Sequence, residues 1–173
     1  AVDQTDGGDT QRYSLSMRWG QSSERGASIV EAYAIYSTLN LFNNFTYFLD
    51  NPDLGDQFQQ TDKRKILGLN ASQSFRHKLA GFNSETTVGT QVRYDDIGVG
   101  LFNTFQRTAY NTVRYDQVSE SSVGLYAKNT TAWTDWLKVT LGVRGDLFTA
   151  SVDSTTLSAN SGYTTAFLAS PKA

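Results

Sequence analysis

Two long stretches of strict alternation, joined by a short turn, constrain the fold of this chain more than any other feature. The second stretch places apolar residues or glycine at every other position, namely Leu137, Val139, Leu141, Val143, Gly145 and Leu147. In the first stretch, the corresponding face carries Val123, Leu125, Ala127, Asn129, Thr131 and Trp133, and is apolar except at Asn129 and Thr131. A period of two predicts strands rather than helices. Each arm has about 11 residues, close to the ~9–11 of a tilted transmembrane strand, so the hairpin predicts a membrane β-barrel.

The rest of the chain repeats this pattern. We predict four strands before the hairpin, at about residues 12–19, 28–40, 65–75 and 84–95, and the beginning of a seventh strand after residue 166. Three of the four have a single phase, and their apolar faces carry Tyr13, Leu15, Met17 and Trp19, then Leu67, Leu69, Ala71, Gln73 and Phe75, then Thr86, Val88, Thr90, Val92 and Tyr94. The predicted fold is an all-β, antiparallel, up-and-down transmembrane β-barrel segment of six strands plus a stub, which forms a curved open sheet in isolation.

The second strand allows two phases. One phase puts Tyr33, Ile35, Ser37 and Leu39 on the apolar side, and the other puts Val30, Ala32, Ala34 and Tyr36 there. We favour the first, because it continues into Leu41.

The connections alternate between short and long, which is typical of an up-and-down barrel with tight turns at one rim and large loops at the other. The long connections are predicted at about residues 41–63, 96–117 and 151–166. Large aromatic residues lie beside the short turns, namely Trp19, Phe75, Trp133 and Trp136, while Tyr13 and Tyr94 lie near the opposite ends of their strands. We interpret these two groups as the interfacial aromatic girdles of a membrane barrel.

The charged residues in the cores of the five strands that have a single phase share one parity. They are Arg12, Arg18, Glu85, Arg93, Lys128, Lys138, Arg144 and Asp146. A midplane lysine or arginine facing lipid would cost about 2–4 kcal/mol. We therefore expect Arg93, Lys138, Arg144 and Asp146 to face the lumen. Lipid should meet the other parity, represented by Leu15, Val88, Leu125, Leu141 and Val143.

Composition excludes several other classes of protein. The chain has no cysteine and a net charge of −2, so neither a disulfide scaffold nor a nucleic-acid binder is favoured. No run of about 18 apolar residues is present, which excludes a transmembrane helix. Barrel strands alternate and leave the mean hydropathy low, so the value of −0.41 is compatible with a barrel. Because the chain does not begin with Met or a signal peptide and ends within a strand, we expect it to be an interior fragment.

Few residues suggest catalysis or metal binding. His77 is the only histidine, and it lies in a short turn beside Arg76 and Lys78. The segment from Asp50 to Asp56 lacks oxygen ligands where a calcium loop would need them, at Pro52 for example. We predict no catalytic residue, no metal ligand and no cofactor, and hence no enzyme.

The predicted connection over residues 96–117 combines cations with aromatic rings. Arg107, Tyr110, Arg114 and Tyr115 could bind an anionic or aromatic ligand through charged hydrogen bonds and stacking. A loop that merely covers the barrel mouth is the alternative.

Several longer runs resemble, as a set, the barrel domain of TonB-dependent outer-membrane receptors. They are NLFNNFTYFLDNPDLGDQFQQTDKR, VGTQVRYDDIGVGLFNT, VRYDQVSESSVGLYAKNTTAWTDWLKVTLGVRGDLF and ASPK. The matching positions are Gly124-Leu125-Tyr126, Trp133 with Trp136-Leu137, Gly142 with Arg144 and Asp146, and Ser170-Pro171-Lys172.

The resemblance implies a barrel of about 22 strands around an N-terminal plug, in the bacterial outer membrane. It implies energised uptake of a ferric siderophore, cobalamin or a similar small nutrient complex, and contact with TonB through the plug region, which this chain lacks. Residues 1–173 would then be part of a single barrel domain whose other partner is outer-membrane lipid. From the residues alone, two alternatives stay open: a small structural or adhesive outer-membrane barrel, and a secreted β-sandwich binding module, whose strands alternate in the same way.

Overall fold

The computed structural model describes residues 3–172, most of which lie in β-strands. Ala1, Val2 and Ala173, which belong to the predicted domain, lie outside the described residues. The strands are β1 (Gly7–Ser23), β2 (Gly26–Asn43), β3 (Phe58–Leu79), β4 (Phe82–Phe105), β5 (Thr108–Ala132), β6 (Lys138–Ser154) and β7 (Gly162–Lys172), with one 3-10 turn at Ser158–Asn160. Among these residues, no helix is both long enough and apolar enough to cross a membrane.

The described strands form one antiparallel sheet in the order β1-β2-β3-β4-β5-β6-β7. Each strand pairs with the next along the chain, and the sheet is curved and open, with β1 and β7 at its edges. This confirms the predicted all-β, up-and-down segment. The predicted stub is an 11-residue strand that pairs with β6 from Gly162 to Lys172.

The two sides of the sheet differ in polarity and in exposure. Leu15 lies opposite Ala34, and Leu125 lies opposite Gly145, so the apolar parities of neighbouring strands meet on one side, which we call the apolar face. The opposite side, the polar face, carries Arg93, Arg144 and Asp146. Leu15 is 75% exposed, whereas Asp146 is 7% exposed, which places the polar face inside the curve of the sheet.

The favoured phase of the second strand is wrong. Val30, Ala32 and Ala34 lie opposite the apolar-face residues Trp19, Met17 and Leu15. Tyr33 lies on the polar face opposite Gly68, and its ring covers that glycine, where a Cβ would collide with it. An aromatic ring that fills the space above a glycine is indistinguishable, in sequence, from one that faces lipid.

The predicted long connection over residues 96–117 is also wrong. β4 continues to Phe105, β5 begins at Thr108, and only Gln106 and Arg107 form the turn, with φ of 49° and 65°. A two-residue turn with positive φ at both positions matches the twist of a hairpin. The chain therefore builds a long β-hairpin here. The structure has the other two long connections at residues 44–57 and 155–161, which lie within the predicted ranges of 41–63 and 151–166.

The connections define two rims of the sheet. The turn rim carries the connections at residues 24–25, 80–81 and 133–137, and the outer rim carries those at 44–57, 106–107 and 155–161. Trp19 and Phe75 lie on the apolar face toward the turn rim, and the ring of Trp133, the first residue of the 133–137 connection, lies 5.0 Å from that of Phe82 on the same face. Trp136 is in the connection and is largely exposed.

The row of Trp19, Phe75 and Trp133, which we call the aromatic row, is slanted, because it does not follow the residues that pair directly across the strands. Trp19 is level with Leu125 through the pairings of β1 to β5, and Trp133 lies eight residues beyond Leu125 toward the turn rim. Nearer to the outer rim on the apolar face, Tyr13 lies opposite Tyr36, and Tyr94 lies opposite Leu67.

Candidate functional site: the polar face and the outer rim

Arginine and aspartate residues form ion pairs with each other on the polar face. Arg93 binds Asp95 through two hydrogen bonds of 2.6 and 2.8 Å, and Arg144 binds Asp146 at 2.6–2.9 Å. The partners are two residues apart on one strand, so their side chains point to the same side. Asp95 and Asp146 are buried, and a buried carboxylate needs such a partner. The same spacing recurs in Arg114 with Asp116 and, at 3.1 Å, in Arg64 with Asp62.

Glycines make room for these groups. Gly124 lies between Gln91 and Asp146 in the ladder, and a Cβ there would come within 2.5 Å of both Arg144 and Asp146. Across this gap, Arg144 donates a hydrogen bond of 2.6 Å to the side-chain oxygen of Gln91, two strands away. Tyr126 covers Gly89 on the same face. The polar face is therefore a packed surface in which the glycines accommodate larger side chains from neighbouring strands.

Two adjacent cavities lie on this face. Their volumes are about 320 and 300 Å³, and both are lined by Arg93, Ser122 and Phe148. Phe148 supplies an aromatic wall beside the paired charges. Polar side chains beside one aromatic ring suit a ligand that has both polar groups and an apolar part.

Gln57 ties three separate segments together at the outer rim. Its side-chain amide donates to the Thr5 hydroxyl at 2.6 Å, while its oxygen accepts from the Thr104 hydroxyl and the Arg107 backbone N–H, each at 2.9 Å. The Gln57 backbone oxygen also accepts from the Thr104 N–H at 2.8 Å. Gln57 is 2% exposed. This network, which we call the rim clasp, joins residues 3–6, the 44–57 connection and the tip of the β4–β5 hairpin.

Arg107 belongs to the rim clasp. Its guanidinium donates to the backbone oxygens of Thr5 at 2.7 Å and Asp6 at 3.1 Å, and lies 5.3 Å from the centre of the Phe42 ring. These contacts occupy much of its hydrogen-bonding capacity. The structure therefore gives Arg107 a structural role in addition to any contact with a ligand.

The other predicted ligand residues do not share one surface with Arg107. Arg114 is on the polar face and pairs with Asp116. Tyr115 lies opposite Gly100 on the other side of the sheet, with its ring 6.4 Å from that of Phe102. Tyr110 is exposed near the hairpin tip, and its hydroxyl accepts a hydrogen bond of 3.2 Å from Asn51. Lys138, a predicted lumen residue, lies opposite Ala132 near the turn rim.

The 44–57 connection is held by Asp56. The Asp50 N–H donates to this carboxylate at 3.0 Å and the Asn51 N–H donates to it at 2.7 Å. The Asp50 hydrogen bond is the main cause that lowers the pKa of Asp56 below its ordinary value. Among residues 3–172, no group of three or more acidic or histidine side chains could hold a metal ion.

Sequence reasoning missed the rim clasp. Gln57 and Thr104 are ordinary polar residues next to strand ends, and no local pattern marks them. Their importance depends on contacts between positions about 50 residues apart, which a single sequence does not display.

A known protein family matches nearly the whole chain. The family model described as "TonB dependent receptor-like, beta-barrel" matches residues 2–173. No curated protein matches the chain.

Proposed function

Because the chain belongs to the β-barrel family of TonB-dependent receptors, which are outer-membrane transporters of Gram-negative bacteria and not enzymes, we propose that it serves the uptake of a ferric siderophore or a similar small nutrient complex. Residues 1–173 would be part of one barrel domain in the receptor. TonB would act through a plug region, as in the family in general.

We propose that the polar face lines the lumen and that the apolar face meets lipid. The observation that carries this proposal is the separation of the strand residues into a face of paired charges and glycines and a face of exposed leucine and valine. Leu141 and Arg144 represent the two faces on β6. A charge turned toward lipid would be costly, whereas one turned toward a wet lumen keeps its hydration and its partner.

The outer rim is the proposed place of first contact with the nutrient complex. Arg114 and Tyr110 are its most direct candidates, because Arg114 is on the polar face and Tyr110 is exposed beside the hairpin tip. Arg107 would support them by fixing the tip through the rim clasp. Tyr115 would contribute only through a ligand that reaches the outside of the hairpin.

Transport can be tested with the full-length receptor in a Gram-negative host that lacks its own siderophore receptors. Uptake of iron-55 would be measured for hydroxamate, catecholate and carboxylate siderophores, with and without TonB. We expect at least one complex to enter only when both the receptor and TonB are present. If no iron complex enters, a siderophore substrate is excluded, and labelled cobalamin becomes the next substrate to test.

The roles at the rim can then be separated with two variants. Arg114→Ala should weaken binding of the transported complex by about tenfold or more, since a charged hydrogen bond contributes roughly 1.5–3 kcal/mol. Arg107→Ala should weaken binding and also increase amide exchange at the hairpin tip, which Arg114→Ala should leave unchanged. Unchanged affinity and uptake in the double variant would reduce this hairpin to a lid.

A further inference from the structure

Two lysines on the polar face flank one glycine on the strand between them. Lys128 of β5 lies opposite Gly142 of β6, and Gly142 lies opposite Lys172 of β7. Directly opposite residues of antiparallel strands point to the same side. Both lysine side chains therefore extend from the same face, on either side of a position that has no side chain. The Cα atoms of the two lysines are about 10 Å apart, which is twice the spacing of neighbouring strands.

This pair of lysines is not neutralised within residues 3–172. Several other polar-face cations have acidic partners there, namely Arg93 with Asp95, Arg76 with Glu85 and Arg144 with Asp146, whereas the single lysine Lys138 has none. No ion pair in the same part of the chain includes Lys128 or Lys172. Two like charges on one face, with no counter-charge, repel each other.

A cavity connects the two lysines. Its volume is about 280 Å³, and its lining includes Lys128, Gly142, Arg144, Ser170 and Lys172. Arg144 is held by Asp146 and Gln91, so the net positive charge of the cavity comes from the two lysines. A Cβ at Gly142 would lie 3.3 Å from the Cβ of Lys128, so a larger residue there would narrow the space between the lysines.

We propose that Lys128 and Lys172 bind one anionic oxygen group, a carboxylate or a phosphate, above Gly142. Lysine is a mobile point charge on a four-carbon stem, so two lysines can converge on an anion from neighbouring strands. The site lies on the polar face, and both lysine side chains are exposed there to an entering anion. The inference goes beyond the proposed function, because it holds whatever nutrient the receptor transports.

The experiment uses the full-length receptor in detergent and radiolabelled inorganic phosphate in equilibrium dialysis at low ionic strength. The double variant Lys128→Gln with Lys172→Gln is compared with the wild type. The matched control is Lys138→Gln, which removes a lysine of the same face that lies opposite an alanine. We expect the double variant to bind phosphate at least about tenfold more weakly, with the control equal to the wild type.

A second readout identifies the source of the anion. If a carboxylate of the receptor itself fills the site, added phosphate will bind to none of the proteins, and the double variant will melt at a lower temperature than Lys138→Gln. That outcome supports the site and assigns it an internal ligand. Measurable phosphate binding that is equal in the wild type and the double variant overturns the proposal. So does absence of binding together with an unchanged or raised melting temperature, and neither result depends on identifying the transported nutrient.

Discussion

At the scale of single residues, Gln57 illustrates how one buried amide can organise a surface. Its truncation in Gln57→Ala would leave the buried Thr104 hydroxyl and the part-buried Arg107 N–H without their partner. Each buried polar group that loses its partner costs about 1–3 kcal/mol. We expect faster amide exchange at residues 104–107 of the intact receptor, measured by mass spectrometry. Gln60→Ala, at an exposed position of β3, is the control, and equal exchange in both variants would contradict the role of the rim clasp.

Asp56 predicts a dependence on pH. Because its folded pKa is lowered, chiefly by the Asp50 N–H, the carboxylate stabilises the 44–57 connection above the unfolded pKa of about 3.9. That stabilisation is lost as the pH falls through the lower, folded pKa. We expect the amides of Asp50 and Asn51 to lose protection below about pH 4, after correction for intrinsic exchange. Asp56→Asn should already show weak protection at pH 7, and a pH-independent protection in the wild type would exclude this mechanism.

At the scale of the strands, glycines covered by tyrosine rings hold neighbouring strands together. In Gly89→Ala, the new methyl group would lie 2.5 Å from the ring of Tyr126, which must swing away. Overpacking of this kind costs about 1–3 kcal/mol. We expect a lower unfolding midpoint in detergent and urea for Gly89→Ala. Gly162→Ala is the matched control, since a Cβ there meets no atom within 4 Å, and equal midpoints would show that the ring moves without cost.

The two sides of β6 can be distinguished with spin labels. The chain has no cysteine, so single cysteines at positions 141 and 144 can be labelled in the intact receptor once any other cysteines are removed. Leu141 is on the apolar face and Arg144 on the polar face. We expect the label at 141 to be relaxed by oxygen, which partitions into lipid, and the label at 144 by a water-soluble nickel complex. The reverse result would invert the assignment of both faces.

The strand cores could be predicted from sequence because a sheet with one apolar and one polar side imposes a strict alternation on them. Past these cores the alternation ends, and β4 and β5 continue through residues such as Asn103, Thr104 and Asn111, whose polarity suggests a loop. Tyr33 misled the phase of β2 because it covers Gly68 of another strand. Arg107 was selected for its charge, but its partners are backbone oxygens about a hundred residues away, which have no side-chain signature.

At the scale of the whole molecule, the described sheet has two unpaired edges, β1 and β7. Unpaired backbone groups cannot face lipid without a large cost, and open strand edges pair with other chains. The isolated chain should therefore need detergent to stay in solution, and should form dimers or larger aggregates through these edges. Size-exclusion chromatography with light scattering measures this directly. A monodisperse monomer in the absence of detergent would count heavily against the membrane assignment.

The slanted aromatic row has a consequence for the depth of the ion pairs. From Trp19 to Trp133, the row descends eight residues over four strand pairings. Arg93 is level with Phe148 through the pairings of β4 to β6, and Arg144 lies four residues from Phe148 toward the turn rim. This stagger of four residues over two strand pairings has the same slope as the aromatic row. If the aromatic row marks a single plane of the bilayer, the strands are tilted by this stagger, and Arg93 and Arg144 lie at one depth. Their ion pairs then form part of a horizontal collar around the inner wall.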